Sequence, residues 1–128
     1  MAGERAIRIE ADGVRLYAIL DATPTATAVW EVLPLAGQVQ VWGEEVYFNI
    51  DLRLPAGKEA RTAVKVGEIG FWPDGPAIAL FFGKTPMSGG DEPVAASPVN
   101  VFGRITGDAR RLGRVRAGSK IRLTRLEG

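Results

Sequence analysis

Apolar residues recur at every second position through most of this chain, in short runs that glycine and proline keep interrupting. A strand points successive side chains to opposite faces, so a run of this kind buries one side and wets the other. Val46, Phe48, Ile50 and Leu52 fall on one face, with Tyr47, Asn49, Asp51 and Arg53 on the other. The chain has 16 Gly and 8 Pro among 128 residues, so no run grows long. Many short strands leave many sheet edges, and closure is the general way to remove them. The fold expected is therefore mainly β, as one domain over residues 1–128: a closed barrel with one or two short helices capping its ends.

The remaining segments fit that frame. Ala6–Glu10 and Val14–Leu20 read as a hairpin, with Asp12-Gly13 supplying the positive-φ turn. Thr23 or Thr25 caps a helix, Pro24 suits its first turn, and good helix formers run from Ala26 to Leu33 until Pro34 stops them. Strands are expected at Val39–Trp42, Val46–Leu52, Ala63–Val66, Ile69–Trp72, Ile78–Phe82, Val99–Ile105 and Lys120–Leu126. A helical turn is expected from about Asp108 to Val115. The Ile78–Phe82 strand is apolar on both faces, the mark of a strand covered twice or lining a groove. Gly83–Pro93 is the longest turn-rich segment.

Function is bounded first by two zeros, since the chain has no Cys and no His. Disulfides, His- or Cys-based catalytic triads and dyads, and His/Cys zinc, haem or iron–sulfur sites are excluded. Asp91 and Glu92 are too few for a carboxylate metal site, and no glycine-rich phosphate loop is present. Neither a cofactor nor a metal is expected. The longest apolar stretch, Ala77–Phe82, is far short of the roughly 20 residues of a spanning helix. With no signal-like apolar segment at the start, a cytoplasmic setting is expected. The net charge of +1 is uneven: residues 1–103 sum to −5 and residues 104–128 to +6. Such an asymmetry can bind polyanions. Here Lys120 and Arg122 alternate with Ile121 and Leu123, and no aromatic residue is interleaved for base stacking, so solvated faces are expected rather than a nucleic-acid site.

Four segments carry a family resemblance. Trp42-Gly43-Glu44-Glu45-Val46-Tyr47-Phe48, Gly67-Glu68-Ile69-Gly70-Phe71-Trp72-Pro73, Phe81-Phe82-Gly83-Lys84-Thr85-Pro86-Met87-Ser88 and Pro98-Val99-Asn100-Val101-Phe102-Gly103 resemble, in order and over nearly the whole chain, the signature segments of a prokaryotic family of small, uncharacterised cyclophilin-like proteins. The resemblance implies a cyclophilin-type eight-stranded β-barrel with two helices and no settled biochemical function. A fainter similarity links Asp21–Ala26, Leu80-Phe81-Phe82 and Val99–Gly103 to true peptidyl-prolyl isomerases. Their F-H-R stretch, which carries the catalytic Arg, has no counterpart here. Leu80 stands at their groove Gln and Val99 at their groove His, while Phe82 falls where a groove residue is expected. Rotation about an X-Pro bond meets a barrier of about 18–20 kcal/mol, and a charged donor to the prolyl nitrogen is the obvious device for lowering it.

The function expected is binding of an extended peptide or small ligand in an apolar groove lined by Phe82, Thr85, Met87 and Tyr47. Glu44 serves as polar anchor and Arg53 as a candidate replacement donor. Glu44 and Glu45, being adjacent, point to opposite faces of a strand and do not form an acid–base pair with each other. The alternatives are an atypical prolyl isomerase and a structural or assembly partner, including a homo-oligomer.

Overall fold

The computed structural model describes residues 4–126. Strands β1 (Arg5–Ala11) and β2 (Val14–Leu20) form the expected hairpin. Asp12 and Gly13 both have positive φ, 47° and 80°, the geometry that matches the twist of the flanking strands. Helix α1 (Pro24–Val32) starts with Pro24 in its first turn, and the Thr23 hydroxyl accepts from the Ala26 N–H at 3.1 Å. Ala26 and Val29 face the core.

The chain continues through β3 (Leu35–Gln38), β4 (Gln40–Val41), β5 (Glu45–Asn49), β6 (Arg61–Ala63), β7 (Glu68–Trp72), β8 (Ala77–Phe81) and β9 (Val94–Ile105). A short 3-10 helix (Ala109–Arg114), capped by the Asp108 carboxylate on the Arg110 N–H at 3.1 Å, leads into β10 (Lys120–Arg125). The strands pair in the order β3-β10-β1-β2-β9-β7-β8-β5-β4, with β6 against β9. Among the described residues no helix is long and apolar enough to cross a membrane.

The fold is mainly β, as expected; its strand count and hydrogen bonding differ from those of the expected closed eight-stranded barrel. Among the described residues the sheet has ten strands, and hydrogen bonds do not close it. Its two end strands, β3 and β4, follow one another in the chain with only Val39 between them. Segments placed end to end cannot ladder with each other: β3 spends its pairing on β10 and β4 on β5. Val39 itself donates to the Ser119 carbonyl and accepts from the Gly118 N–H, each at 2.8 Å.

The main core lies on one face of the sheet, with Phe48, Phe71 and Phe102 among its largest fully buried side chains. The strand expected over Val46–Leu52 ends at Asn49, yet Ile50, Leu52 and Leu54 still pack against this core. A second, smaller cluster of Val64, Ala79, Phe81, Ala95 and Val99 sits apart from it, with Tyr47, Trp72 and Val101 packed alongside. β9 contributes to both clusters because it changes register against β7: Ile69 pairs Gly103, but Gly70 pairs Val101. The residue skipped is Phe102, and this bulge reverses which side the parity addresses. Val99 and Val101 thus join the outer cluster while Ile105, of the same parity, enters the main core.

The basic charges of residues 104–128 are dispersed. Arg104 pairs with Asp21 at 3.7 Å and Arg116 with Asp12 at 3.1 Å. Arg125 lies 4.6 Å from the Trp30 ring centroid and donates to the Trp30 carbonyl. Lys120 and Arg122 are exposed and Ile121 and Leu123 buried, as the alternation requires.

Asn100 ties the irregular stretch between β5 and β6 to the sheet. Its side-chain oxygen accepts from Gly57 N–H at 2.8 Å, and its amide donates to the Pro55 carbonyl at 3.1 Å and the Thr25 hydroxyl at 3.2 Å. Asn100→Ala removes three bonds and strands partners in a half-buried place, which costs about 2 kcal/mol. Urea unfolding should show that loss, accompanied by faster proteolytic nicking between residues 53 and 60.

Candidate functional site

The outer cluster surrounds a cavity of about 120 Å³, lined by Trp42, Glu45, Tyr47, Trp72, Ala79, Phe81, Ala95, Ala96 and Val99. Cross-strand pairing explains its shape. Glu45 sits opposite Phe81 and Tyr47 opposite Ala79, and Ala79 is opposite Gly70 on β7. Two small residues side by side make a low floor between larger walls. A Cβ on Gly70 would lie 2.9 Å from Val99 Cγ2, so glycine is what lets β9 settle over β7 here. The Tyr47 and Trp72 rings meet edge to face, 6.2 Å apart at 84°, a favoured aromatic geometry.

The first residues of β9 roof the cavity, and the sequence pattern did not anticipate a strand there. They are held from several sides. Val99 and Val94 pair with Arg61 and Ala63 of β6, and Trp72 Nε1–H donates to Ser97 Oγ, which donates to Asp74 at 3.1 Å. The Thr85 hydroxyl donates to the Val94 carbonyl.

Glu45 is the unusual member. It is 7% exposed, and its Oε1 is the one buried carboxylate oxygen without a hydrogen-bond partner among the described residues. Burial raises its carboxyl from 4.5 to about 7, because a low-dielectric setting disfavours the charged form. An unsatisfied buried polar atom costs about 1–3 kcal/mol, and in a cavity wall such a group is a candidate for contact with a ligand. Among the described residues no Lys or Arg lines the cavity.

A second groove, of about 490 Å³, runs along Thr23–Thr25, residues 54–61, Glu68 and Asn100. Its inner polar groups are already engaged, while Lys58 and Glu59 at its edge are exposed. Arg61 holds Glu68 through two hydrogen bonds, at 3.1 and 3.0 Å, and Asn100 is fully engaged as described.

Of the residues singled out in the sequence, Tyr47 lines the Glu45 cavity, and Thr85 anchors its roof without lining it. Phe82 is buried in the main core, on the opposite side from Phe81. Met87 is exposed on the turn after Thr85, and Arg53 is exposed in the irregular stretch between β5 and β6. Glu44 is exposed, and its Oε1 accepts from the Lys84 N–H at 3.0 Å, clasping the turn at Gly83.

Of the lining residues only Tyr47 belonged to the expected groove; Glu45, Phe81, Trp42, Trp72, Val99 and the alanines at 79, 95 and 96 did not. For Glu45 the signal was present: the face carrying Tyr47 and Asn49, extended back by two, reaches Glu45 and not Glu44. For Phe81 there was none, because its strand is apolar on both faces.

The family described as cyclophilin-like matches residues 5–124. No curated protein matches the chain. Among solved structures, a hypothetical protein of Archaeoglobus fulgidus, determined in solution, is 32% identical, with a TM-score of 0.79, covering 96% of this chain and 95% of its own. A match along almost the whole length, in sequence and in backbone alike, means that this chain belongs to the cyclophilin-like family.

Proposed function

We propose that this protein is a binding module that takes a side-chain-sized group of an extended peptide or small ligand into the cavity bounded by Glu45, Tyr47, Trp72 and Phe81. The observation that carries the reading is the buried, unpartnered Glu45 oxygen set in an otherwise aromatic and aliphatic wall. Its volume is close to that of cavities that accept one small ring, and apolar walls with a single polar group are the usual composition of ligand sites. Taken as one bent strand, β3, Val39 and β4 would join the two ends of the sheet into a cyclophilin-type barrel whose outer wall carries the cavity.

A fragment screen by chemical-shift perturbation tests the reading. Hits should move the indole N–H signals of Trp42 and Trp72 and the ring signals of Tyr47. Shifts confined to the Asn100 groove or to the Met87 turn would overturn it.

One observation favours a second reading, prolyl isomerisation. An acid that is half-protonated near pH 7 is a proton donor, and in this cavity it would stand in for the absent Arg. That reading expects protease-coupled isomerisation of Ala-Pro and Phe-Pro peptides, with a rate that falls as pH rises through 7. No rate above background at high micromolar protein removes it.

A further inference from the structure

Resting on the binding reading above, we infer that the group received at Glu45 is a cation, an alkylammonium of primary or methylated kind, held between the carboxylate and the rings of Trp42, Tyr47 and Trp72. Trp42, Tyr47 and Trp72, with Phe81, border one small space with rings whose faces are electron-rich, and among the described residues that line it the only charged group is acidic. An ammonium satisfies both features at once: it donates to the orphaned Oε1 and lies against the rings. A neutral donor would satisfy the oxygen alone, and an anion would meet the carboxylate and the ring faces unfavourably. The same chain already sets a cation on an indole elsewhere, where Arg125 stacks 4.6 Å from the Trp30 centroid.

The surrounding charges do not compete for Glu45. Glu44, next to it on the chain, is turned to the Lys84 N–H, and the Lys84 ammonium lies 3.7 Å from Asp91. On β7, Glu68 is held by Arg61, and in the following turn Asp74 accepts from Ser97. On β9, Arg104 is paired with Asp21, and β8 carries no charged residue. Among the described residues Tyr47 is the only other titratable side chain in the wall.

The test is a titration followed by the Trp42, Trp72 and Tyr47 signals, using n-butylammonium, its N-trimethyl form and the neutral n-butanol. A second arm uses a short peptide containing lysine, with the same peptide carrying norleucine as its neutral match. At pH 8 the cations should bind about tenfold more tightly than their neutral counterparts. That preference should shrink on lowering the pH to 5, as Glu45 takes up its proton while the ligand stays charged. It should shrink to the same extent in Glu45→Gln, leaving only what the rings supply. A lysine peptide that exceeds free butylammonium identifies a peptide source, and equal affinities identify a free amine. Neutral ligands that bind as well as cations at pH 8 overturn this inference and leave the cavity as a binding site. If neither class moves the three aromatic signals, the binding reading falls with it. The pH arm uses the unmodified protein, so the outcome does not hang on the variant's folding.

Discussion

Between pH 4.5 and pH 8 the protein should lose about 3 kcal/mol of unfolding free energy through Glu45, and Glu45→Gln should abolish that loss. The carboxyl is raised from 4.5 to about 7 by burial, and each tenfold gain in proton affinity is worth about 1.4 kcal/mol. Below 4.5 both folded and unfolded chains hold the proton, and Glu45 costs nothing. Between 4.5 and 7 the unfolded chain releases the proton while the folded chain keeps it, so stability falls with rising pH and levels off above about 7. The other shifted carboxylates act in the opposite sense. Asp12 is held down at about 2 by hydrogen bonds from the Arg116 side chain and backbone. Burial alone would raise Glu68, but hydrogen bonds from Arg61 and the Lys65 N–H outweigh it and leave its carboxyl lowered. Both stabilise the fold above their ordinary values and lose that contribution as the solution is acidified below them. Urea unfolding across pH therefore separates the two regimes, and a Glu45→Gln variant that keeps the parental slope above pH 5 would show that Glu45 is not the source.

Phe82→Ala should cost about 3–5 kcal/mol of stability, the range for a large aromatic removed from a packed core, and leave affinity at the Glu45 cavity unchanged in the folded fraction. Phe82 is buried in the cluster that holds Phe48, Phe102 and Leu112, and the 3-10 helix closes over it at Gly113, where a Cβ would stand 3.5 Å from the Phe82 ring. Tyr47→Ala is the reciprocal change. Tyr47 is half-buried and belongs to the cavity wall, so its loss costs less in unfolding than that of Phe82 and removes ligand binding. Denaturation midpoints and titrations on both variants give four numbers, and a Phe82→Ala protein that folds but no longer binds would place the site on the wrong side of the sheet.

The two phenylalanines show where legibility stops. In β5 one face is apolar and the other mixed, so alternation alone separates Val46 and Phe48 from Glu45 and Tyr47. In β8 every residue is buried, and a pattern with no contrast has no phase. Similarity to the isomerase double-Phe strand points to Phe82, but a strand reverses its faces with each single step, and here the cavity side belongs to Phe81. Ala95 and Ala96 escape notice for a different reason. They are small, lie between Pro93 and Pro98, and belong to a stretch of strand that pairs with β6.

Whatever depends on neighbours a few residues apart could be read from the chain as written. The Asp12-Gly13 hairpin, the Thr23 cap with Pro24, the alternation of β5 and β10, and the exclusion of every His- or Cys-based chemistry are all local or compositional facts. Three other features exist only once the strands are assembled: β3 and β4 stand at the two ends of the sheet, a bulge at Phe102 turns Val99 outward and Ile105 inward, and the start of β9 lies over Glu45. Burial of that carboxylate is not a property of its own segment. It arises where strands distant in sequence meet, and the same meeting leaves its oxygen unpartnered and raises its affinity for a proton.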